Sequence, residues 1–242
     1  HFTQYHDYAR QLVALDPAND DWQMELNYGL SNLGTLAMDQ GDFAAAEQHF
    51  KEALDVSRAL SDNQPGDAGR LITTGTSLAW LADAVMRQGK LTQARDLRLE
   101  EIALYEHWLA TRAADANVRQ LMADARYRLA QIHLAMGRLD EAQESALLAT
   151  QIADDLLAAD LGNIGRVDRA SLAHAIAGEV HLHRRQYRQA RESLLRSIAI
   201  ADGFVARKGG LEGSRGLTSS QPRLVLASLL VRTGQTEEAM SL

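Results

Sequence analysis

The feature that most constrains the fold of this 242-residue chain is a sequence repeat with a period of 48 residues. The segment GDFAAAEQHF begins at Gly41, and related segments begin at Gly89, Gly137 and Arg185, so each step is 48 residues (89 − 41, 137 − 89, 185 − 137). A fifth copy begins at Gly234, one residue late. A fixed period of this length indicates stacked supersecondary units, each of which buries its apolar face against its neighbours.

Two helices are predicted in each unit. The chain is 46% hydrophobic but only 5% aromatic, and it is rich in Ala and Leu, which favours helix over strand. The first helices of the units are predicted to begin near Asp20, Ala68, Ala116 and Ile164. The second helix of the first unit has apolar residues at helical spacing, namely Phe43, Ala46, Phe50, Ala53 and Leu54.

One motif runs through both helices of the first unit. It reads Leu30-x-x-Leu33-Gly34 … Gly41-x-Phe43-x-x-Ala46-x-x-x-Phe50-x-x-Ala53-Leu54. The motif resembles the tetratricopeptide repeat (TPR), whose standard unit has roughly 34 residues, and the longer period is similar to that of TPR arrays in bacterial multidomain signalling proteins. The resemblance covers nearly all of the chain and weakens toward its C-terminus. It implies an all-α fold, a right-handed α-solenoid of antiparallel helix pairs that forms a TPR-like superhelix.

The second unit departs from the motif on its second helix. Arg98 and Glu101 stand where the pattern expects apolar residues. We therefore expect this helix to pack in a shifted register, around Leu97, Tyr105 and Trp108.

One solenoid domain is predicted, divided by the repeat. Residues 1–19 would be the second helix of a truncated preceding repeat. The other predicted segments are repeat 1 at 20–67, repeat 2 at 68–115, repeat 3 at 116–163, repeat 4 at 164–202, a Gly-rich loop at 203–219 and a truncated final repeat at 220–242. Because the chain begins with His1 rather than Met, within a predicted helix, we interpret it as a fragment of a longer protein.

The resemblance also implies where a partner would bind. In TPR proteins the first helices of the units line the inner face of the solenoid, and groove contacts recur at fixed positions on them. Carried onto this sequence, the predicted partner groove consists of Tyr28, Ser31, Thr35, Met38, Asp39, Thr76, Ala79, Asp83, Met86, Arg87, Asp124, Tyr127, Gln131, Leu134, Ala175, Glu179, Leu182, His183, Gln221, Leu224, Ser228 and Arg232.

The predicted groove is mildly acidic, since its four carboxylates outnumber its two arginines. Some TPR proteins hold the terminal carboxylate of a peptide with Lys, Asn and Arg at such positions. Here the positions hold Ser31, Thr35, Ala79 and Asp83, which argues against recognition of a chaperone tail. An amphipathic or weakly basic segment is the expected partner, with apolar anchors giving affinity and charge setting its orientation.

No catalytic or cofactor site is predicted. The sequence has no Gly-rich phosphate loop, Ser nucleophile elbow or HExxH pair, and it has no cysteine. His174, His181 and His183 crowd one helix, but only His183 is well placed beside Glu179, so polar packing is favoured over a metal site. We therefore expect neither an enzyme nor a cofactor nor a bound metal.

Two further sets of side chains have both a structural and a functional interpretation. Residues 183–191 contain four arginines and Tyr187, which could contact an acidic partner, although a solvated turn is the simpler interpretation. The three tryptophans do not occupy equivalent repeat positions, which favours packing over a ligand-stacking ladder: Trp22, Trp80 and Trp108.

The sequence as a whole predicts a non-catalytic protein–protein interaction scaffold or sensor module of a larger bacterial protein, located in the cytoplasm. A net charge of −7 argues against general affinity for nucleic acid or anionic membranes, and no apolar run is long enough to span a membrane. Two alternatives stay open. One is self-association into a homodimer through exposed array ends; the other is a small-ligand-sensing pocket that controls an attached effector domain.

Overall fold

The structure, a computed structural model, describes residues 1–207 and 220–241. Within these ranges the chain forms eleven α-helices and no strand. The helices are α1 (Phe2–Leu15), α2 (Asp20–Gln40), α3 (Phe43–Asn63), α4 (Ala68–Arg87), α5 (Leu91–Leu109), α6 (Ala116–Ala135), α7 (Leu139–Ala159), α8 (Ile164–His183), α9 (Tyr187–Arg207), α10 (Ser220–Arg232) and α11 (Thr236–Met240). None of these described helices is both long and apolar enough to cross a lipid bilayer.

The helices belong to two compact units, residues 1–107 and 108–242. In the first unit α1 packs on α2, α2 on α3 and α3 on α4. In the second unit each helix from α6 to α11 packs on the next, and α8 also contacts both α6 and α10. Because helices that are joined by short turns and lie side by side must run in opposite directions, the successive pairs are antiparallel. The predicted all-α class of antiparallel helix pairs is thus confirmed within each unit.

Side-chain caps set the beginnings of four helices that start 48 residues apart (68 − 20, 116 − 68, 164 − 116). The residue before each start is Asn or Asp, and its side chain accepts a hydrogen bond from a backbone N–H of the first turn: Asn19, Asp67, Asp115 and Asn163. These N–H groups have no partner within their own helix, so a local sequence signal is enough to fix each start. The division into repeat units at these boundaries stays a prediction.

The turn inside each helix pair contains a residue in the left-handed conformation. Gly41, Gly89, Gly137 and Gly234 have φ angles of 77°, 77°, 72° and 81°. Glycine adopts such angles at little cost because it has no Cβ. At the turn between α8 and α9 the corresponding residue is Arg185, with φ of 60°, and no other non-glycine residue in the described ranges has a positive φ.

Small residues on one helix of a pair make room for large residues on the other. A Cβ added at Gly34 on α2 would lie 2.4 Å from Cε1 of Phe50 on α3. A Cβ added at Gly178 on α8 would lie 2.6 Å from Cγ of Leu194 on α9. Because neither distance is compatible with van der Waals contact, glycine at these two positions sets how closely the helices pack.

The prediction of a shifted register in α5 is wrong, although two of the three residues named for it, Tyr105 and Trp108, are buried as expected. Arg98 and Glu101 are only 3% and 2% exposed, at the positions that the buried Phe50 and Ala53 occupy in α3 (98 − 50 = 48, 101 − 53 = 48). Leu97 is half-buried instead. The register is kept because the two charged side chains neutralise each other inside the fold, as described below, and are not displaced to the surface.

The predicted boundary between repeat 4 and the Gly-rich loop is also corrected. Helix α9 continues to Arg207, so residues 203–207 are helical and do not belong to a loop. Phe204 explains the extension, because it is buried in a cluster with Leu157, Val167 and Ala170. Residues 208–219, which make up the rest of the predicted loop, lie outside the described residues.

Candidate partner-binding surface

The helices that carry the predicted groove residues, α2, α4, α6, α8 and α10, are called the groove helices. In the second unit the three groove helices are linked by polar side chains as well as by packing. Arg169 on α8 donates from Nε to Oδ2 of Asp124 on α6 at 2.7 Å. Gln221 on α10 donates from Nε2 to Oε1 of Glu179 on α8 at 3.1 Å. Polar contacts therefore join α6 to α8 and α8 to α10 in this unit, and the second of them lies between two predicted groove residues.

On α6 the surface is built around Tyr127, which is half-buried. Gln131 donates from Nε2 to the Tyr127 hydroxyl oxygen at 2.9 Å, and the guanidinium of Arg128 lies 5.2 Å from the centre of the Tyr127 ring. Burial raises the pKa of the Tyr127 phenol, with a smaller contribution from the charge of Glu179. Tyr127 therefore keeps its proton, and its O–H can donate a hydrogen bond to a partner.

The α8 and α10 part of the surface combines half-buried and exposed residues. Burial raises the pKa of the Glu179 carboxyl, although Gln221 and His183 oppose the rise. Leu182 is half-buried against the core, while His183, Gln221, Leu224, Ser228 and Arg232 are exposed. Ala175 is buried and adds nothing to the surface. This row offers hydrogen-bonding groups beside Leu224, an exposed apolar side chain.

In the first unit, α2 presents only some of its predicted groove residues. Tyr28, Thr35 and Asp39 are exposed, and Met38 is half-buried. Ser31 is only 4% exposed, so its placement in the groove is corrected. The physical reason is its position on the buried stripe of α2, which also holds Asn27 one turn before it and Gly34 one turn after it.

On α4, Asp83 is held from behind by a buried ionic cluster. Arg98 donates from Nη2 to Asp83 Oδ1 at 2.6 Å and to the Ala79 carbonyl at 3.0 Å, and from Nη1 to Glu101 Oε2 at 2.6 Å. Burial opposes the charge of Arg98, but the carboxylates of Glu101 and Asp83 outweigh it and raise the pKa of the guanidinium. Burial also disfavours the charged form of Glu101 and therefore raises its pKa, and Arg98 opposes that rise. Because Asp83 is partly exposed, this cluster reaches the surface of α4.

The remaining predicted positions on α4 are less distinctive. Thr76 and Met86 are half-buried, and Arg87 is exposed. The Arg87 guanidinium lies 5.0 Å from the centre of the Phe43 ring, a cation–π contact. Leu134 on α6 is half-buried against a core cluster.

The acidic character predicted for the groove is smaller than a count of residues suggests. Asp83 pairs with Arg98, and Asp124 pairs with Arg169. Neither arginine belongs to the predicted groove positions, so the count of four carboxylates against two arginines omitted both partners. Two of the four predicted groove carboxylates are therefore paired with arginines, and the residue count overstates the acidity of the predicted positions.

Models of the tetratricopeptide repeat match residues 29–65 and 123–156. The chain contains tetratricopeptide repeats. The two matched segments include predicted groove residues of α2 and of α6, and the length of the repeat, 48 residues, stays a prediction from the sequence.

Solved structures share the TPR-like architecture at low sequence identity. The match to BtubC (BKLC) from P. vanneervenii spans 99% of this chain and 84% of that protein, with 18% sequence identity and a TM-score of 0.72. The match to the apo form of RapI spans 97% of this chain but only 55% of that protein, with 8% sequence identity and a TM-score of 0.66. The match to TPR-like repeats of a kinesin light chain of Podosopora anserina spans 88% of this chain and 89% of that protein, with 18% sequence identity and a TM-score of 0.57. Curated protein sequences give no match. At these identities the likeness establishes the fold alone.

The histidines of α8 are used within the TPR fold. His174 Nε2 lies 3.1 Å from both carboxylate oxygens of Asp154 on α7. Burial opposes ionisation of Asp154, but the hydrogen bond and charge of His174 outweigh it and lower its pKa. His181 Nδ1 lies 2.7 Å from Gln186 Oε1. In the part of the chain that the structure describes, no three side chains of ligand type converge on a point that could hold a metal ion.

A cleft of about 200 Å³ lies between α7, α8 and α9, and none of its lining residues is a predicted groove residue. His174 and His181 lie seven residues apart on one face of α8, and that spacing is the sequence signal for it. The lining residues are Gln143, Ala146, Leu147, Thr150, His174, Ala177, Val180, His181 and Ser193.

The tryptophans pack, and they do not form a ladder. The ring of Trp80 lies 5.6 Å from that of Phe50, and Trp22 is half-buried. Trp108 is buried, donates from Nε1 to Asp115 Oδ2 at 2.9 Å and carries the Arg112 guanidinium 3.8 Å from its ring centre.

Proposed function

We propose that this chain is a non-catalytic protein-interaction or sensor module of a larger bacterial protein and that it binds a peptide or protein segment on its groove helices. Tetratricopeptide repeats support a role as a protein–protein interaction scaffold in general, and such scaffolds are typically non-enzymatic. The observation that carries the finer proposal is the continuous surface of α6, α8 and α10. Packing and the Asp124–Arg169 and Glu179–Gln221 contacts join these three helices.

The chemistry of that surface favours an amphipathic segment. The Tyr127 hydroxyl, the Gln221 amide and the Ser228 hydroxyl supply hydrogen bonds along the three helices, while Leu224 gives an apolar contact. Asp124 is already neutralised by Arg169, so a strongly basic partner gains little from it. Affinity would come from apolar anchors, with hydrogen bonds fixing the register of the segment.

A bulky substitution on α10 tests whether a peptide binds this surface and not another part of the second unit. A peptide is first selected against the chain from a random display library, and its affinity is measured by fluorescence anisotropy. Ser228→Trp places a large side chain on an exposed position of α10, whereas the control Ala199→Trp does the same on α9, which is not a groove helix. The first variant is expected to weaken binding about tenfold or more, and the control is expected to leave it unchanged.

Two results would contradict this site. One is equal affinity of the wild-type chain and Ser228→Trp, with circular dichroism showing both to be folded. The other is protection from hydrogen exchange on α7 and α9 but not on α6, α8 and α10 when the peptide is bound.

Small-ligand binding is a second candidate, favoured by the cleft between α7, α8 and α9. The side chains of Gln143 and Ser193 face it and make no hydrogen bond within the described residues, so their polar groups are available to a ligand. A fragment screen read by amide chemical shifts tests this: Ala177→Leu fills the cleft and should abolish every response there. Responses that persist in that variant would rule out the cleft as the site.

A further inference from the structure

The turn between α8 and α9 differs from every other described turn that contains a left-handed residue. Four of these turns have glycine, and this one has Arg185 with φ of 60°. An L-residue with a Cβ adopts this conformation only at a cost in backbone energy, and residues strained in this way cluster at functional sites. The side chain of Arg185 is exposed, and it makes no ion pair with any residue that the structure describes.

Two more arginines lie beside this turn, and the first, Arg188, forms only a long, solvent-exposed ion pair. Arg188 is 84% exposed, and Glu192 is 3.8 Å from it. Arg232 at the end of α10 is exposed and has no ion pair among the described residues, and its guanidinium lies 6.0 Å from the centre of the half-exposed Tyr187 ring. Arg184, by contrast, pairs with Asp140 at 2.5 Å.

We propose that Arg185, Tyr187, Arg188 and Arg232, here called the arginine patch, bind an acidic segment of a partner protein. Guanidinium groups form charge-assisted, often bidentate hydrogen bonds with carboxylates. The patch is a local exception in a chain of net charge −7, so an acidic segment would be attracted to this edge and repelled elsewhere.

A protein segment fits the patch better than a membrane or a nucleic acid. Asp140 and Glu192 are exposed beside the arginines and would repel a dense row of phosphates. Tyr187 is the one aromatic side chain in the patch, which offers too little apolar area for membrane insertion. A flexible acidic peptide can place some of its carboxylates on the arginines and turn the others away from the two acids, which a rigid row of phosphates cannot do.

The inference goes beyond binding on the groove helices. Arg185, Tyr187 and Arg188 lie outside the predicted groove, and only Arg232 belongs to both sets. The patch could therefore hold a second part of the same partner or a different one, and variants of Arg185 and Arg188 test it separately from Ser228→Trp.

The test uses a fluorescein-labelled octaglutamate peptide and anisotropy at low salt. Arg185→Gly restores the glycine found at the other turns, so in R185G/R188A the charge is removed without disturbing the turn. The control R10A/R58A removes two exposed positive charges from α1 and α3 and changes the net charge equally. We expect R185G/R188A to weaken binding about tenfold, with a thermal midpoint no lower than that of the wild-type chain, and the control to bind nearly as well as the wild type.

Three results would overturn the proposal. One is the absence of saturable binding of octaglutamate to the wild-type chain, and another is binding to R185G/R188A that is as tight as to the wild type. The third is binding to phosphatidylserine vesicles or duplex DNA that is lost in R185G/R188A while octaglutamate does not bind, which would assign the patch to a phosphate surface.

Discussion

The buried side chains of Arg98 and Glu101 depend on each other more than any other charged pair in the first unit. Both are inaccessible to water, and each supplies the main opposite charge for the other at 2.6 Å. Removing one member of a buried pair leaves the other charge uncompensated, which is more costly than replacing both with apolar side chains. Helix α3 shows the apolar solution, with Phe50 and Ala53 at the corresponding positions.

This dependence predicts a strong non-additivity. Arg98→Leu and Glu101→Ala are each expected to lower the free energy of unfolding by about 3–5 kcal/mol. The double variant R98L/E101A should recover most of that loss, because Asp83 is partly exposed and can be solvated. Urea unfolding followed by circular dichroism measures all three. A double variant as unstable as the sum of its parts would contradict the interpretation.

Asp115 is a second residue with two structural roles. Its carboxylate caps α6 by accepting from the backbone N–H groups of Asn117 and Val118, and it accepts the indole N–H of Trp108 at 2.9 Å. The hydrogen bond from Trp108 is the largest cause of a lowered pKa at Asp115, and burial opposes it.

Loss of this cap should therefore depend on pH. Asp115→Ala is expected to cost about 1–2 kcal/mol at neutral pH, and Asp115→Asn should cost less because the amide oxygen still caps the helix. A lowered folded-state pKa means that the charge-dependent part is fully present above the unfolded pKa of about 3.9 and is lost as pH falls through the folded pKa. The difference in unfolding free energy between wild type and Asp115→Asn should shrink below about pH 4; a constant difference down to pH 2 would refute the assignment.

At the scale of the elements, the turns and the contacts between helices follow different rules. Glycine is required at a turn such as Gly137 by its backbone conformation and not by packing, because no atom lies within 4 Å of a Cβ added there. Glycine is required at position 34 by packing, since Gly34 faces the ring of Phe50. At the corresponding positions of α6 and α7 lie Ala130 and Ala146, both buried, so a larger residue in place of glycine is matched by a smaller residue in place of Phe50.

The turns give a matched pair of predictions. Arg185→Gly should raise the free energy of unfolding by about 0.5–1 kcal/mol, because the left-handed strain is removed. Gly137→Ala should lower it by about 1–2 kcal/mol, because the same strain is introduced without any steric clash. Thermal unfolding by calorimetry measures both, and equal signs for the two changes would refute the backbone explanation.

Packing at Gly34 should be rescued by shrinking its neighbour. Gly34→Ala is expected to cost about 1–3 kcal/mol, because Phe50 must move. Adding Phe50→Leu should restore part of this loss, whereas Phe50→Leu in the wild-type background should only destabilise. The free energy of unfolding is measured by chemical denaturation for the wild type, the two single variants and the double variant. An effect of Phe50→Leu that is the same with Gly34 and with Ala at position 34 would contradict the contact.

At the scale of the whole molecule, the two proposed surfaces differ in their response to salt. The groove carboxylates Asp83 and Asp124 already have arginine partners, whereas Arg185 and Arg232 have none in the described ranges. Added salt screens exposed charges over a distance of about 10 Å at 0.1 M. Octaglutamate affinity should therefore fall steeply between low and high salt, and the affinity of the library-selected peptide should change little.

Anisotropy titrations over a salt series measure both affinities in one protein. The two surfaces would not be distinct if both affinities fell with the same slope. They would also not be distinct if Ser228→Trp weakened octaglutamate binding as much as it weakened the selected peptide.

The sequence by itself determined the helices, their order and their turns. The caps at Asn19 and Asp67, the glycine at Gly41 and the apolar spacing around Phe50 are local signals, and each acts within a few residues of where it stands. The spacing of 48 residues between four helix starts therefore follows from the sequence alone.

The tertiary structure decided which side chains are accessible and which charges remain free. Ser31 was assigned to the groove by position, but packing places it on a buried stripe. Asp83 and Asp124 find their arginines 15 and 45 residues away, and α5 keeps its register because Arg98 and Glu101 neutralise each other. Burial and ion pairing are properties of contacts between distant segments, and repeat periodicity contains no information about the charge that a neighbouring helix supplies.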